Sequence, residues 1–404
     1  MAVGQGYSKV VTSGSVFHYD TGDVVNSFKG KPISNQLLAV GYTYGTQNQP
    51  YFKSSYGTEY DIIPGLGGQV LVDYCNFFND YNGGSGNCCP SVFYFGNFSV
   101  SPSTVYTYQI VYKTPDGYAN ANYMYHYEFG PGGYVTEYGL WSDTRIQDLG
   151  NGWTHAWGTF TSNAATNYFQ TYLFHYQYTQ TKIQIAGVML TQGDTVIPPR
   201  QFIPVNTTRT ATQSLLDLTG NYSIDASNLS FNSNGQITFD GTNDCIIIPT
   251  SNFNKVDGQE LTVEVIMKPG RNSGQYQDIV VNRSDGQYNW MLYQHASDGS
   301  IQLHGSGQYK SSYVPTIGQN IHVVATVTSG QVSTLYVNGV VQQTVTGFIY
   351  APGNPSLLCI GVFGTSKYEP YLGNIDVVKI YNRALTPGEI TQNYNHYKTR
   401  FNLP

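Results

Sequence analysis

Charged residues are scarce in this sequence. They make up 11% of its 404 residues, whereas an average soluble domain contains roughly 25%. The net charge of −6 provides no electrostatic attraction to nucleic acid or to anionic lipid, so we expect neither as a partner. No apolar run approaches the roughly 18 residues that a membrane-spanning helix needs, and we therefore also expect no membrane insertion.

Motifs of thiol-based and hydrolytic sites are missing as well. The five cysteines form no CxxC pair, which argues against a zinc site and favours buried free thiols. The eight histidines form no HExxH, and neither a GxSxG nor a P-loop is present. The first residues, MAVGQGYSKVVTSG, lack the basic start and apolar core of a secretion signal. We expect that a signal has been removed or that the protein leaves the cell by another route.

Tyrosine and glycine are abundant instead, with 36 Tyr and 44 Gly. Short segments with alternating apolar residues, such as Leu261–Pro269, recur along the chain and are separated by Gly, Asn and Pro. In STLYVNGVVQQTVTG, two such segments flank Asn338-Gly339, which predicts a type I′ hairpin turn. The pattern predicts an all-β chain made of antiparallel β-sandwiches.

The strand pattern is interrupted near the middle of the chain. Two consecutive prolines and a threonine-rich stretch occupy residues 193–213. We therefore predict two β-sandwiches of the jelly-roll type in series, at residues 41–200 and 214–404, with a linker at residues 201–213. Residues 1–40 show weaker periodicity, and we predict that they form an irregular N-terminal arm that anchors the protein.

The stretch IYNRALTPGEITQNYNHYKTRF predicts one short C-terminal α-helix. Thr386 and Glu389 form a capping box, with Pro387 at the first helical position. The apolar stripe of the helix consists of Ile390, Tyr394, Tyr397 and Phe401. Because a short helix with one such stripe is not stable alone in water, we expect it to lie across a sheet edge, a sheet face or a neighbouring subunit.

Four segments give the second half a resemblance to concanavalin A-like, laminin G-like lectin domains. They are FDGTNDCIIIP (Phe239–Pro249), LTVEVIMKP (Leu261–Pro269), IHVVATVTSGQVSTLYVNGVV (Ile321–Val341) and GNIDVVKIYNRALTPGEITQNYNHYK (Gly373–Lys398). The last segment, which continues into TRF, resembles the variant found in structural proteins of tailed bacteriophages. The resemblance implies a lectin-type β-sandwich in this half.

Segments of the first half extend the resemblance. FHYDTGDVVNSFKGKPISN (Phe17–Asn35) resembles the opening of such phage virion proteins, and TTRTATQSLLDLTGN resembles the joint between their domains. LGNGWTHAWGTFT followed by IQIAGVMLTQGD resembles a carbohydrate-binding-module jelly roll. The resemblance implies a protein of the virion surface that decorates or cements the capsid or forms a fibre-like appendage. Its implied partners are other capsid, collar or tail proteins, two further copies in a homotrimer, and host-surface glycans.

Other functions stay open. One is a tail fibre or receptor-binding protein, and another is a secreted bacterial carbohydrate-binding or adhesion protein. A third is an unusual glycoside hydrolase, because concanavalin A-like folds also host glycanases. Those enzymes need two carboxylates at one sugar, roughly 5–5.5 Å apart in retaining enzymes, but the corresponding strand offers Glu264 alone. We therefore predict that the protein is not an enzyme and that Glu264 faces solvent or a partner.

Residue types that bind sugars are concentrated between residues 276 and 295. Sugar sites combine a flat aromatic face with amide or carboxylate groups for the hydroxyls. The candidate contacts are Tyr276, Asp278, Asn282, Tyr288, Trp290 and Tyr293, with Gln277, Arg283, Asn289 and His295 beside them. The alternative is that Trp290 and Met291 alternate, one inside and one outside, and that the tyrosines are packing and surface residues. The abundance of tyrosine throughout the chain favours this alternative.

Calcium is common in laminin G-like domains, and FDGTND supplies two carboxylates, Asp240 and Asp244. Calcium needs several converging oxygen ligands, which a spacing of four residues in a tight turn does not establish. The metal content is therefore left open, and no cofactor is predicted.

Overall fold

Almost all of the described chain folds into antiparallel β-strands. The computed structural model describes residues 9–35, 41–43, 52–66, 68–79, 92–113, 124–139, 145–174, 181–203, 207–232, 235–272, 274–311 and 313–404. The chain divides into unit 1 (residues 1–32, 210–232 and 236–404) and unit 2 (residues 33–209 and 233–235). In the described ranges, no helix is long and apolar enough to cross a lipid bilayer. The predicted fold class is confirmed.

The first strand of the described chain, β1 (Ser15–Asp20), belongs to unit 1. The next thirteen described strands belong to unit 2. Its strands are β2 (Ile33–Asn35), β3 (Gly41–Thr43), β4 (Phe52–Ile63), β5 (Gly68–Asn79), β6 (Val92–Ser99), β7 (Val105–Lys113), β8 (Met124–Gly130), β9 (Gly133–Gly139), β10 (Arg145–Gly150), β11 (Trp153–Thr161), β12 (Tyr168–Phe174), β13 (Thr181–Gln192) and β14 (Thr207–Arg209). One sheet has the order β10-β11-β7-β13-β5-β4, a second has the order β3-β6-β12-β8-β9, and β2 pairs with β14.

Aromatic side chains join the two large sheets of unit 2. Phe169 on β12 is completely buried, and its ring centroid lies 5.6 Å from that of Tyr106 on β7 and 5.1 Å from that of Phe160 on β11. Ile110 and Ala156, which pair across β7 and β11, are completely buried as well. The tyrosine-rich alternating segments of the first half therefore form a β-sandwich.

Unit 1 combines β1 with the second half of the chain. Its further elements are α1 (Ala211–Ser214), β15 (Ser230–Phe231), β16 (Ile237–Asp240), β17 (Ile246–Pro249), β18 (Leu261–Pro269), β19 (Gln277–Ser284), β20 (Gln287–Gln294), β21 (Ile301–His304), β22 (Gln308–Lys310), β23 (Ile321–Val327), β24 (Val332–Val337), β25 (Val340–Thr346), β26 (Leu357–Ile360), β27 (Leu372–Tyr381) and α2 (Pro387–Lys398). The back sheet has the order β15-β16-β27-β18-β23-β24-β25, and β1 also pairs with β27. The front sheet has the order β17-β26-β19-β20-β21-β22.

The front and back sheets of unit 1 enclose one apolar core. Val263, Val265 and Met267 of β18 are completely buried in it, together with Trp290 and Leu292 of the front sheet. This is the alternation predicted for the β18 segment. The predicted hairpin turn between β24 and β25 is also confirmed, because Asn338 and Gly339 have φ values of 50° and 77°, and a type I′ turn requires positive φ at both positions.

Helix α2 lies across the outer face of the back sheet. The Thr386 hydroxyl accepts a hydrogen bond from the Glu389 backbone N–H, and the Glu389 carboxylate accepts one from the Thr386 N–H. The predicted capping box is therefore confirmed. Ile390 and Tyr397 are completely buried, and Ile390 packs in one cluster with Val324 of β23. Of the three positions predicted for this helix, the sheet face is the one observed.

The segment predicted as an irregular arm differs from the structure where the structure describes it. Phe17 of β1 pairs with Ile380 of β27, and the Phe17 and Tyr19 side chains lie in the unit 1 core. His18 and Asp20, on the opposite face, are buried as well. Phe17 and Tyr19 alternate with His18 and Asp20, but this alternation spans only four residues and was too short to indicate a strand. Residues 1–8 and 36–40 of the predicted arm lie outside the described residues.

The described residues of the predicted linker, 201–203 and 207–213, include regular secondary structure. Residues 201–213 include β14, which pairs with β2, and most of α1. The chain divides between the units after residue 32 and after residue 209.

Two cysteines, Cys245 and Cys359, are buried free thiols, as predicted. The side chains of Cys75, Cys88 and Cys89 lie outside the described residues.

Candidate functional site

The outer face of the front sheet is rich in aromatic side chains. Alternation along β20 directs Trp290 and Leu292 into the core and places Met291 and Tyr293 in a separate cluster on the opposite side of the sheet. Asp278 of β19 is the cross-strand partner of Tyr293. We call this surface the tyrosine face. Its rings are those of Tyr276, Tyr288, Tyr293, His295 and His304.

The five rings of the tyrosine face form a continuous layer. The centroid distances are 5.9 Å for Tyr276 and Tyr293, 5.0 Å for Tyr276 and His295, 5.9 Å for Tyr293 and His304, and 5.4 Å for Tyr288 and His304. Such distances are those of favourable aromatic pairs. Tyr293 is buried at the centre, and the other four rings are partly exposed. The layer is therefore a packed aromatic surface with an accessible rim.

Hydrogen bonds fix two of these rings. The Tyr293 hydroxyl donates to Gln302 Oε1 at 3.0 Å, and both side chains are buried. The Tyr276 hydroxyl lies 3.4 Å from His295 Nε2. Burial, together with the charge of Arg283, lowers the pKa of His304, so this ring is neutral at physiological pH and one of its nitrogens is free to accept. The face thus combines apolar ring surface with hydrogen-bonding atoms.

A buried carboxyl group adjoins the tyrosine face. Asp278 is completely buried, and neither of its oxygens has a hydrogen-bond donor in the described part of the chain. Burial raises the pKa of Asp278 well above its usual value, the nearby Glu369 carboxyl raises it further, and Arg283 lowers it. The surroundings of Asp278 therefore favour its protonated form.

Arg283 connects this acid pair to further aromatic residues. Its guanidinium nitrogen lies 3.8 Å from Asp278 and 3.2 Å from Glu369. The guanidinium carbon lies 3.3 Å from the ring centroid of Phe363, which in turn contacts the ring of Tyr368 at 5.3 Å. Arg283 remains 22% exposed and Tyr368 58% exposed. An arginine held in this way can donate to ligand hydroxyls with little loss of side-chain freedom.

Four of the six candidate sugar contacts belong to the tyrosine face or its edge. They are Tyr276, Asp278, Tyr288 and Tyr293. Trp290 is completely buried in the core, where its Nε1 donates to the Phe253 carbonyl at 2.9 Å. Asn282, the cross-strand partner of Trp290, is also completely buried, and its Nδ2 donates to the Leu357 carbonyl at 3.1 Å. The prediction of Trp290 and Asn282 as sugar contacts is therefore corrected: both are structural residues.

Several residues of this surface were not identified from the sequence. They are His304 on β21 and Phe363, Tyr368 and Glu369 on the loop between β26 and β27. They are distant in sequence from residues 276–295, so no local sequence pattern connected them with the candidate sugar contacts. The aromatic residues of the loop sequence VFGTSKYEP were the one available indication.

The acidic residues considered for calcium stabilise a turn. Asp240 Oδ1 accepts from the backbone N–H groups of Thr242 and Asn243 at 2.7 and 3.1 Å, and Asp244 Oδ2 accepts from the Asp240 N–H at 2.7 Å. Burial would raise the pKa of Asp240, but these backbone donors lower it. Throughout the described ranges, no group of three or more His, Cys, Asp or Glu side chains converges as a metal site requires. The metal content stays open, and the expectation of no cofactor stays a prediction.

Glu264 does not face solvent or a partner, contrary to the prediction. It is completely buried under α2, where it accepts hydrogen bonds from His322 Nε2 at 2.8 Å, from the Tyr381 hydroxyl at 2.9 Å and from Asn393 Nδ2 at 2.8 Å. Burial would raise the pKa of Glu264, but the bond from His322 and the charge of Lys379 lower it to about 2. The carboxylate is therefore ionised and fully engaged inside the fold.

A comparison with known protein families identifies a domain within unit 1. Residues 240–391 match the model of the laminin G family described as the concanavalin A-like lectin/glucanases superfamily. This segment is a concanavalin A-like domain. The concanavalin A-like domain includes the complete front sheet, most of the back sheet and the whole tyrosine face. The comparison with curated proteins found no match.

Solved structures resemble the chain at low identity. One is domain 4 of a GH43 extracellular arabinanase from Geobacillus stearothermophilus in complex with arabinotriose, at 19% identity and a TM-score of 0.34, covering 46% of this chain and 93% of that one. The binding domain of botulinum neurotoxin serotype D has 16% identity and a TM-score of 0.36, covering 46% and 49%. A mutant Trypanosoma rangeli sialidase has 16% identity and a TM-score of 0.35, covering 46% and 31%. Similarity at this level gives no information about function.

Proposed function

We propose that the concanavalin A-like domain binds glycans through the tyrosine face. The partly exposed layer of Tyr276, Tyr288, His295 and His304 around the buried Tyr293 carries this proposal. Pyranose rings present apolar C–H faces that pack on aromatic rings, and their hydroxyls need hydrogen-bonding partners at the edges. The imidazole of His304, the hydroxyl of Tyr288 and the guanidinium of Arg283 supply those partners.

The character of the face indicates how such binding would work. It is a surface rather than an enclosed pocket, so a single contact with one sugar would be weak. Repeated contacts raise the overall affinity, by 10²–10⁴ when two or more sites engage together. We propose that the protein acts as a homotrimer, in which three copies of the tyrosine face engage a repetitive polysaccharide.

We further propose that the protein belongs to the surface of a tailed-bacteriophage particle. In this setting it decorates the capsid or forms a fibre-like appendage, is held by other virion proteins, and contacts host-surface glycans. The support comes from the sequence segments Phe17–Asn35 and Gly373–Lys398, which resemble such proteins. We propose no catalytic role, because two-carboxylate glycoside hydrolysis needs acids that reach the sugar, and Glu264 and Asp278 are both completely buried.

Glycan binding is tested with the purified protein on an array of bacterial surface polysaccharides. We expect the wild type to bind at least one polysaccharide and the double variant Tyr276→Ala/Tyr288→Ala to bind it at least tenfold more weakly, because each lost ring contact contributes on the order of 1 kcal/mol. Tyr134→Ala removes a tyrosine of unit 2 that is 58% exposed and serves as the matched control. Equal binding by all three proteins would exclude the tyrosine face as the site.

The virion role is tested separately. Phage particles that carry a tagged copy of this chain are purified and imaged by electron microscopy, and the mass of the isolated protein is measured by analytical ultracentrifugation. We expect the tag at the head or the tail and a trimeric mass. Particles without the tag would exclude the virion role and leave glycan binding unaffected.

A further inference from the structure

A second candidate site in unit 1 lies beside the end of β27 and shares no lining residue with the tyrosine face. It is a pocket of about 430 Å³, within the 300–1,000 Å³ range of small-molecule sites. Its lining includes Asn221, Tyr222, Asn252, Phe253, Lys255 and Asn382. Three amides, one phenol and one ammonium around a single opening are an unusually polar set for a chain in which only 11% of the residues are charged.

The three asparagines retain hydrogen-bonding groups that the protein does not use. Asn221 Nδ2 donates to the Val16 carbonyl at 3.2 Å, and Asn252 Nδ2 donates to the Tyr222 hydroxyl at 3.2 Å. These bonds orient the amides. No donor from the described residues reaches the two amide oxygens, and the Asn382 side chain makes no hydrogen bond there either. The pocket therefore offers oriented acceptors together with one free amide.

Lys255 brings an uncompensated positive charge to the pocket. Among the described residues, no acid forms an ion pair with its ammonium, and burial lowers its pKa with no neighbouring charge to oppose the effect. A half-buried cation without a counter-ion is costly. Its backbone is held in place by Asn289, whose Oδ1 accepts from the Lys255 N–H at 2.7 Å and whose Nδ2 donates to the Lys255 carbonyl at 3.0 Å. The protein thus fixes the backbone of Lys255 and leaves the ammonium without an acidic partner among the described residues.

Tyr222 forms an aromatic wall of the pocket. Its ring centroid lies 5.2 Å from that of Phe253 and 6.1 Å from that of Phe17, and both phenylalanines are buried in the core. The ring is therefore fixed from behind and remains partly exposed. A fixed aromatic wall next to amide acceptors is suited to a sugar ring, which has both an apolar face and hydroxyl donors.

We infer that this pocket binds a sugar that carries a carboxylate, such as a uronic acid. The sugar carboxylate pairs with the Lys255 ammonium, the hydroxyls donate to the amide oxygens of Asn221 and Asn252, and the sugar ring packs against Tyr222. A neutral sugar would fill the same space but leave the ammonium without a counter-ion. The inference concerns a separate site and does not depend on glycan binding by the tyrosine face.

Three pairs of monosaccharides test this selectivity. The full chain is titrated with glucuronate and glucose, galacturonate and galactose, and mannuronate and mannose, each pair differing only at C6, and binding is followed by ligand-observed NMR. We expect at least one acid to bind about tenfold more tightly than its neutral counterpart, the effect of one charge-assisted hydrogen bond. Equal affinities within every pair, or no binding by any of the six sugars, would overturn the inference.

Variants then assign the selectivity to the pocket. Lys255→Gln should abolish the preference for the acid, and Lys255→Arg should keep most of it. Asn382→Asp, at an exposed position, adds a negative charge at the rim and should weaken the acid but not the neutral sugar, which gives a second test should Lys255→Gln not fold. Tyr134→Ala, at an exposed position of unit 2 outside both proposed sites, should leave the titration unchanged. Selectivity that survives both Lys255→Gln and Asn382→Asp would contradict the site.

Discussion

Glu264 Oε1 lies 2.8 Å from His322 Nε2, and both side chains are completely buried beneath α2. The second oxygen of Glu264 accepts from Tyr381 and Asn393. One carboxylate therefore connects three strands of the back sheet, β18, β23 and β27, to the helix that covers them. This acid is therefore a structural link between elements.

Removal of this carboxylate should destabilise unit 1. Glu264→Ala leaves the buried donors of His322, Tyr381 and Asn393 without their acceptor, and loss of one partner of a buried charged network typically costs 3–5 kcal/mol. We expect a fall of that size in the free energy of unfolding, measured by urea denaturation. Glu264→Gln keeps the shape and should lose less. An alanine variant as stable as the wild type would show that the network adds nothing.

His18 should make unit 1 sensitive to acid. Burial lowers the pKa of His18 to about 3, an effect that Lys379 and Arg400 enhance and that Glu264 and Asp23 oppose. The unfolded chain has an ordinary histidine pKa near 6.5, so below that pH only the unfolded state binds the proton. This contribution to stability is therefore complete above pH 6.5 and is lost as the pH falls towards 3, by about 1.4 kcal/mol per pH unit.

The variant His18→Gln isolates this effect, because it cannot take up a proton. The free energies of unfolding of wild type and variant are measured at pH 7, 6, 5 and 4. We expect the advantage of the wild type over the variant to shrink steadily below pH 6.5. Parallel pH profiles would mean that His18 titrates alike in the folded and the unfolded chain.

The cap of α2 should contribute measurably to stability. Thr386→Ala removes the hydroxyl that accepts from the Glu389 N–H, and the loss of an N-cap side chain costs about 1 kcal/mol. We expect a corresponding drop in the thermal unfolding temperature, whereas Thr386→Ser keeps the acceptor and should remain near the wild type. If alanine and serine behave alike, the cap is not what holds this helix end.

Trp290 and Tyr288 should respond to substitution in opposite ways. Trp290 is completely buried in the core, so Trp290→Ala should lower the free energy of unfolding by 3–5 kcal/mol. Tyr288 is a partly exposed member of the tyrosine face, so Tyr288→Ala should weaken polysaccharide binding with little change in stability. Both are compared by urea denaturation and on the same glycan array. If Trp290→Ala were as stable as the wild type and lost only binding, Trp290 would be a sugar contact after all.

Local patterns predicted much of unit 1. The alternation of β18, the Asn338-Gly339 turn and the capping box of α2 each depend on a few neighbouring residues, and all three are confirmed. The burial of Glu264 could not be predicted from neighbouring residues. Alternation places Glu264 opposite Val263 and Val265, on the outer face of the sheet, but only α2, more than a hundred residues later, determines that this face is covered.

The alternation of side chains along a strand, and one β-bulge that interrupts it, explain which candidate sugar contacts lie on the tyrosine face and which lie in the core. Trp290 and Tyr293 are three residues apart on one strand and so lie on opposite faces, which strand periodicity alone already implies. Asp278 and Asn282 are four residues apart and should share a face. A bulge between Asp278 and Val280 shifts the register and turns Asn282 into the core. Such a bulge has no signal in this sequence.

The pairing of β1 with β27 has a consequence for the order of events during translation. Phe17 leaves the ribosome long before Ile380, its partner in the sheet, and at 5–20 residues per second the interval is roughly 20 to 70 s. All of unit 2 is synthesised in that time and can fold first. Only nascent chains that extend through β27 can close this edge of the back sheet, so a prematurely terminated product exposes an unpaired apolar strand that quality-control proteases can recognise.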